Sequence, residues 1–241
     1  MIGYYGYYGY AYVDWSYIAL IIAMFVSLII SARVKTTFNK YAKQASKQGL
    51  TAERAVQHML QSNGVYDVGI TRTSGSLTDH YNPKTNTVAL SESVYGKTSV
   101  AAIGVACHEA GHAIQYAEGY GPLKVRNAII PVTNLGAQLS GPLIMAGFIM
   151  AGFSQKLIVL AYLGVLCFAL STVFQLITLP VEFDASRRAM AAIDSQNLLT
   201  EDEQKGVKSV LSAAALTYVA ALAVSLMQLL RFVVLLNRRR D

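Results

Sequence analysis

The sequence contains little charge and little cysteine. Only 14% of its 241 residues are charged, whereas an ordinary soluble domain carries roughly 25%. Two cysteines, Cys107 and Cys167, are too few and too differently placed for a disulfide framework or a cysteine-based zinc site. We interpret both as small buried hydrophobic residues. Because 54% of the residues are hydrophobic, the chain is not disordered, collagen-like or disulfide-stapled, and we expect it to contact lipid.

The charge balance is basic, with 20 Lys and Arg against 14 Asp and Glu and a net charge of +6. Such an excess is found in proteins that bind nucleic acid, but membrane proteins with positively charged cytoplasmic loops show it too. We therefore predict the lipid bilayer as a partner and no nucleic acid.

The first sixteen residues contain no Lys or Arg, so they lack the basic segment that begins a cleavable signal peptide. We expect this Gly/Tyr-rich tail, residues 1–16, to stay on the protein. The apolar segment 17–32 then predicts a transmembrane helix. Five basic residues follow it directly: Arg33, Lys35, Lys40, Lys43 and Lys47. This asymmetry places the tail outside and the following segment in the cytoplasm.

Two further apolar segments, 129–153 and 157–179, are separated by only three residues. They predict a transmembrane hairpin, 129–179, whose two ends lie in the cytoplasm. A fourth apolar run, 213–236, precedes a basic tail, 237–241. If this run spans the membrane, its basic tail lies outside, which opposes the positive-inside tendency. The sequence therefore does not decide on which side of the membrane the tail lies.

The stretch between the first span and the hairpin shows mixed helix and strand patterns. Thr51 is a predicted N-cap for an amphipathic helix that Gly64 ends. Two β-branched runs, 65–72 and 87–91, predict strands separated by turn residues, the second of them an edge strand. Residues 99–118 have a helix-forming composition without proline.

That last predicted helix contains the sequence His-Glu-Ala-Gly-His, from His108 to His112. Two histidines four residues apart lie on one helix face, so both can ligate a single zinc ion. Glu109, about 100° further round the helix, borders that face, where it can accept a proton from a metal-bound water as general base. Gly104 and Gly111 would let another backbone approach closely. The motif predicts Zn²⁺ as cofactor and a hydrolytic reaction.

A catalytic zinc site takes a third protein ligand and leaves its fourth position to water. After the hairpin, Pro180 is predicted to begin another helix, and Glu182 emerges there on the cytoplasmic side, where it can face the two histidines. Its alternative role is that of a helix-N-terminal carboxylate stabilised by the helix dipole. Asp184 competes as the ligand, although two residues further along a helix it points to a different face.

His80 lies in a predicted turn before the run 87–91. In that position it could lie over the zinc and donate a hydrogen bond to the tetrahedral oxyanion, as a catalytic residue beside Glu109. The alternative is a turn histidine held by local hydrogen bonds.

Four segments, SLTDHYNPKTNTVALS, CHEAGHAIQ, TLPVEFDASRRAM and AALTYVAAL, resemble the YugP-type membrane zinc metallopeptidases, over nearly the whole chain. The chain is also distantly similar to HtpX-type and CAAX-prenyl proteases, in which a His-Glu-x-x-His helix, a transmembrane hairpin and a Glu-x-x-x-Asp helix follow in that order. The resemblance implies zinc peptidase activity with Glu182 as third ligand. Ser186 stands where those relatives have Asp, which leaves open whether Asp184 replaces that carboxylate.

We therefore predict an α-helical membrane protein of about four transmembrane helices with a zincin-like α+β cytoplasmic domain. That domain comprises residues 33–128 and a third-ligand helix within 180–212. Its edge strand would hold an extended peptide by backbone hydrogen bonds.

The predicted function is that of a zinc-dependent, gluzincin-like endopeptidase of the bacterial cytoplasmic membrane. It would cleave peptide or membrane-protein substrates at membrane-proximal or unfolded segments on the cytoplasmic face. One alternative is an intramembrane protease, against which the charged residues Lys97 and Glu118 argue. The other is a zinc-stabilised membrane scaffold that cleaves nothing, which has no need of a base such as Glu109.

Overall fold

The computed structural model describes residues 3–4, 11–12 and 15–237. Most of the predicted tail 1–16 lies outside the described residues, as do residues 238–241 of the predicted basic tail 237–241. In chain order, the elements are β1 (Gly3–Tyr4), β2 (Ala11–Tyr12), α1 (Trp15–Ala42), α2 (Ala52–Ser62), β3 (Gly69–Thr73), β4 (His80–Asn82), β5 (Thr87–Ser91), α3 (Val100–Ala117), α4 (Gly121–Met150), α5 (Val159–Ser195) and α6 (Glu201–Asn237).

Among the described residues, four helices are long and apolar enough to cross a membrane: α1, α4, α5 together with the 3₁₀ turn before it, and α6. Their apolar side chains are largely exposed, as Leu28 at 68% and Phe25 at 63% illustrate. Water would oppose such exposure, whereas the hydrocarbon core of a bilayer accepts it. The prediction of about four membrane-length helices is confirmed. Helix α1 extends ten residues beyond the predicted end at Ala32.

The chain divides into two compact units. The first, here called the apolar unit, consists of Met1–Ile29, Ile129–Leu176 and Val219–Asp241. The second, here called the mixed unit, consists of Ile30–Ala128 and Ile177–Tyr218.

Within the apolar unit, α4 and α5 pack closely because small residues face each other. A Cβ added at Gly147 would collide with the backbone of Ala161, and one at Gly136 would lie 3.2 Å from the carbonyl oxygen of Cys167. Gly147, near the end of α4, meets Ala161 near the start of α5, whereas Gly136, earlier in α4, meets Cys167 later in α5. The two helices therefore run antiparallel, as the predicted hairpin requires. Close backbone approach through small residues is typical of helix packing in membranes.

Helix α5 passes through Pro180 without a break, so the prediction that Pro180 begins a new helix is wrong. Proline removes one helical N–H, and the carbonyl of Leu176 four residues earlier loses its partner. Membrane helices tolerate this loss where local adjustments and neighbouring groups compensate. Glu182 thus lies in the interior of a long helix, and a role as an N-terminal carboxylate stabilised by the helix dipole does not apply.

The mixed unit contains a three-stranded sheet in the order β3-β5-β4. Strand β5 pairs in parallel with β3 and antiparallel with β4. It is therefore the central strand, and the prediction that residues 87–91 form an edge strand is wrong. The reason is burial on both faces, since Val88, Ala89, Leu90 and Ser91 are all buried, and strands buried on both faces are continuous apolar runs. His80 begins the edge strand β4 instead of lying in a turn.

Helix α3 lies at the centre of the mixed unit, packed against α2, β4 and β5. Both predicted helix starts are confirmed by their caps: Thr51 accepts a hydrogen bond from the Arg54 amide, and Ser99 accepts one from the Ala102 amide. Each cap satisfies an N–H group that has no partner within its helix. Gly64, at φ +72°, follows the end of α2 as predicted.

Two glycines let other helices approach α3. A Cβ at Gly111 would lie 2.7 Å from the carbonyl oxygen of Ala185 on α5, and one at Gly104 would lie 2.8 Å from the Val207 side chain on α6. The predicted close approach of a second backbone is confirmed at Gly111. At Gly104 the neighbour is a side chain. The contact at Gly111 sets the distance between α3, which carries the two histidines, and α5, which carries Glu182.

We predict that Gly111→Ala destabilises the protein by about 1–3 kcal/mol, because the added methyl group overpacks the contact with the Ala185 backbone. It should also weaken metal binding, since α5 must move away from α3. Thermal unfolding and metal titration in detergent measure both effects. Gly121→Ala is the control, because no atom lies within 4 Å of its added Cβ, and it should leave both properties unchanged. Equal behaviour of the two variants would contradict the role given to Gly111.

Candidate metal centre

Three ligand atoms meet between α3 and α5. Glu182 Oε2 lies 3.4 Å from His108 Nε2 and 3.6 Å from His112 Nε2, and the possible ligand atoms of the three residues all lie within 4.8 Å of one another. The structure therefore brings together the three residues predicted to bind the metal. Two nitrogen donors and one carboxylate oxygen are a donor set that Zn²⁺ accepts.

The burial of Glu182 tests whether a cation fits this group. Its side chain is 4% exposed, and Oε2 is buried without a hydrogen-bond partner within the described part of the chain. A buried carboxylate oxygen without a partner carries a desolvation cost that a cation would remove. A cation bound by these donor atoms would therefore stabilise an arrangement that is unfavourable for the carboxylate alone.

Electrostatics leads to the same conclusion. Burial of the His112 ring opposes its protonation, but the carboxylates of Glu182 and Glu109 outweigh this effect and raise the pKa of His112. The centre therefore attracts positive charge.

Burial raises the pKa of the neighbouring Cys107 thiol to about 12, so at neutral pH it is not the thiolate that a metal requires. This agrees with the interpretation of Cys107 as a buried hydrophobic residue.

The orientation of His112 is set by Gln115, which sequence analysis missed. Gln115 Oε1 lies 3.0 Å from His112 Nδ1. A carbonyl oxygen only accepts, so Nδ1 carries the proton and Nε2 keeps its lone pair for a metal. The amide nitrogen of Gln115 donates to the Val181 carbonyl at 2.9 Å and to Asp184 Oδ2 at 2.8 Å. Gln115 lies three residues after His112, the helical spacing that could have indicated it.

His108 is oriented by a different partner. The hydroxyl oxygen of Ser186 lies 3.1 Å from His108 Nδ1, so Ser186 makes the contact for which the resemblance led us to expect an aspartate. Asp184 does not replace that aspartate at His108. It acts on His112 through Gln115, and hydrogen bonds fix such ligand orientations in metal sites generally.

Arg188 ties Asp184 to α3. Its guanidinium donates to Asp184 Oδ2 at 2.6 Å and lies 2.7 Å from Glu118 Oε2 at the end of α3. Asp184 also receives a hydrogen bond from Arg187. Asp184 therefore belongs to a network that holds α5, the helix of Glu182, against α3.

Glu109 lies beside the three ligand residues. It is 9% exposed, and its Oε2 accepts a hydrogen bond of 3.1 Å from the backbone N–H of Tyr81 on the edge strand β4. Glu109, His108 and Glu182 line the same cavity. The carboxylate predicted to be the base is thus held next to the metal ligands by the backbone of the edge strand.

Arg126 was not singled out by sequence analysis. Its Nη1 lies 3.7 Å from Glu182 Oε1, and its side chain is 27% exposed. In the sequence it is indistinguishable from the basic residues that flank membrane spans. The guanidinium adds positive charge on the side of Glu182 that faces away from the histidines.

His80 is not brought to the centre. It is exposed, and its Nδ1 lies 2.9 Å from the carbonyl oxygen of Thr78, which is the local hydrogen bond of the alternative interpretation. A catalytic role for His80 stays a prediction.

Together, these features define a class: a protein whose described part has four membrane-length helices and a His-His-Glu group, with a buried Glu182 and a further carboxylate beside it. A family model described as "Putative neutral zinc metallopeptidase" matches residues 16–237, and the chain belongs to this family. It is 44% identical over 221 residues to the "Putative membrane protease YugP" of Bacillus subtilis (strain 168), covering 92% of this chain and 96% of that protein. The family expected from the four sequence segments is confirmed. No solved structure matches the chain.

We predict that Glu182→Ala weakens metal binding more than Asp184→Ala or Gln115→Ala does. The first variant removes a donor atom, whereas the other two release the orientation of His112, a change that typically costs 10- to 100-fold in affinity. Zinc titration of the purified variants against a competing chelator measures this order. Glu201→Ala, an exposed carboxylate in the first turn of α6, is the control. A larger loss for Asp184 than for Glu182 would reverse the assignment of the ligand.

Proposed function

We propose that the protein is a zinc-dependent endopeptidase in which His108, His112 and Glu182 hold the metal and Glu109 is the general base. The observation that carries the proposal is the convergence of three donor atoms within 4.8 Å beside a second carboxylate, the buried Glu109, which lines the same cavity as His108 and Glu182. Three protein ligands leave one position for water, which is the arrangement of catalytic zinc sites.

When bound, Zn²⁺ supplies Lewis acidity that brings the pKa of a water molecule close to neutrality. The residues around the metal position transfer the proton and orient the ligands. Glu109 accepts the proton of the water that attacks the peptide carbonyl and passes it to the leaving amine nitrogen. The Tyr81 N–H holds the Glu109 carboxylate in place, and Gln115 and Ser186 hold the two rings with their Nε2 atoms towards the ligand position.

The edge strand β4 is suited to hold the substrate. It pairs with β5 on one side only, and its Tyr81 contacts the proposed base. An extended peptide adding to this edge would lie next to the metal ligands, since strand addition uses the unpaired backbone groups of an edge. This arrangement of sheet edge and histidine helix supports a zincin-like organisation of the mixed unit.

Neither alternative function gains support. An intramembrane protease would carry its metal ligands within the membrane. His108 and His112 lie on α3, which is not among the helices of the described chain that are long and apolar enough to span. Glu182 lies on the membrane-length helix α5, but beyond the end of its apolar segment 157–179. A structural zinc site would fill its fourth position with a protein ligand, whereas the ligand group in the described residues has three members.

We predict that Glu109→Gln retains stoichiometric zinc but loses hydrolysis, because the amide keeps the volume and cannot accept the proton. His108→Ala and His112→Ala should lose zinc as well as activity. Metal analysis and cleavage of an unfolded protein substrate separate the two effects. If Glu109→Gln cleaves at the wild-type rate, Glu109 is not the base and the proposed mechanism is wrong.

We also propose that cleavage takes place close to the cytoplasmic membrane surface. Glu182 lies three residues after the apolar segment 157–179 on the uninterrupted helix α5, a rise of about 5 Å along the helix axis. A metal bound there lies near the headgroups, where loops and tails of membrane proteins are already concentrated.

This placement predicts that cleavage decreases as a cleavable segment is moved away from the transmembrane helix of a substrate. A series of substrates with progressively longer flexible linkers, reconstituted with the protein in liposomes, measures the dependence. The same segment free in solution is the control. Equal cleavage of tethered and free segments would overturn the membrane-proximal proposal without affecting the assignment of the metal ligands.

A further inference from the structure

A cavity of about 230 Å³ opens beside the metal ligands. His108, Glu109 and Glu182 form its polar side. Most of the other lining residues are apolar and come from α1, from the loop before β4 and from α6. Their principal members are Val34, Phe38, Leu77, Leu211, Ala214 and Ala215.

Apart from the proposed metal ligand Glu182, three charged or polar groups in the wall of this cavity already have partners. Glu109 accepts the Tyr81 N–H, Ser186 contacts His108, and Asp79 accepts hydrogen bonds from the Ser91 N–H at 2.7 Å and the Ser91 hydroxyl at 2.9 Å. A polar or charged side chain entering the cavity would lose water and meet mainly apolar groups, which is unfavourable. An apolar side chain would gain by the same burial.

Leu77 is held against this cavity in an unusual backbone conformation. Its φ is +58°, in the left-handed region where a bulky residue is an outlier. Its N–H donates to the Ser93 hydroxyl at 3.3 Å, and Asp79 two residues later is anchored on Ser91. The side chain is nevertheless 41% exposed, so burial of Leu77 in the core does not account for the strained conformation. Strain kept by its surroundings concentrates at ligand sites.

We propose that this cavity binds an apolar substrate side chain next to the scissile bond, with Leu77 as a specificity-determining wall. The inference rests on the proposed function, and it names the substrate class: segments that present a Leu- or Phe-sized residue at the point of cleavage. Water adds to the peptide carbonyl carbon, the C–N bond breaks, and the products are a carboxylate and an amine. Ala214 and Ala215 on α6 leave the space that the substrate side chain occupies.

The first test is a peptide library that varies one position beside a single cleavable bond, incubated with the zinc-loaded full chain in detergent. We expect kcat/KM for Leu or Phe to exceed that for Ser or Asp by at least about tenfold, the order that a hydrophobic pocket provides. The Glu109→Gln variant leaves the peptides uncleaved, and we expect it to bind Leu and Phe peptides more tightly than Ser and Asp peptides. Fluorescence polarisation measures these affinities.

A second test fills the cavity. Ala214→Leu should lower kcat/KM for Leu and Phe substrates about tenfold and shift the preference towards Ala. Ser212→Leu adds similar bulk on an exposed position of the same helix, outside the residues that line the cavity, and should leave rate and preference unchanged. A preference that is identical in both variants would overturn the proposal.

A third test separates function from structure at Leu77. Asn tolerates a positive φ, so Leu77→Asn relieves the backbone and should keep or raise the thermal midpoint, while kcat/KM for Leu substrates falls about tenfold and that for Ala substrates changes little. Leu77→Met restores an apolar side chain and should recover the preference for Leu. A merely structural Leu77 predicts the opposite pattern, with lower stability and an equal loss for all substrates.

Failure of this inference can be told apart from failure of the proposed function. If the wild-type chain cleaves every library peptide equally and Glu109→Gln cleaves none, the cavity does not select the substrate, although the protein is a peptidase. If the wild type cleaves no more than Glu109→Gln does, the proposed peptidase function is wrong and the cavity inference is overturned with it.

Discussion

The centre of this protein depends on one electrostatic constraint: a carboxylate oxygen of Glu182 is buried between two imidazole nitrogens and has no hydrogen-bond partner in the described chain. An ionised group in such a place is costly unless a positive charge neutralises it. The Arg126 guanidinium, 3.7 Å from Glu182 Oε1, and a proton on His112, whose pKa is raised, each partly meet this need. A metal ion would meet it fully, because it can bond to all three donors at once.

The surrounding structure positions these donors. Helices α3 and α5 approach closely because Gly111 has no side chain where the Ala185 carbonyl lies. Gln115, Asp184 and Arg188 then link the two helices by hydrogen bonds and ion pairs. These links orient His112, whereas Ser186 orients His108. The two imidazole rings therefore depend on different partners. His112 is linked to the Asp184 carboxylate through the Gln115 amide, whereas His108 contacts the Ser186 hydroxyl.

The same geometry joins the candidate metal centre to the proposed substrate-binding edge. Glu109 is held by the backbone of the edge strand β4, and the loop that leads into β4 carries Leu77 to the apolar cavity. A peptide that adds to β4 would therefore meet the base and the cavity together. On this view, the strained backbone of Leu77 keeps an apolar surface available beside reactive groups.

Features that depend on local spacing could be predicted from the sequence: the membrane-length helices, the cap at Thr51, the helix that starts at Ser99, and the pairing of His108 with His112 on one helix face. Glu182 was reached through chain order and family resemblance. The edge strand and the start of a helix at Pro180 were predicted wrongly, because strand order and the passage of a helix through proline depend on neighbours far away in the chain. Arg126 and Leu77 carry no distinguishing local pattern, and only its spacing of three residues from His112 could have indicated Gln115. Their roles were decided by tertiary structure alone, since a hydrogen bond, an ion pair or a cavity wall exists only once distant segments pack together.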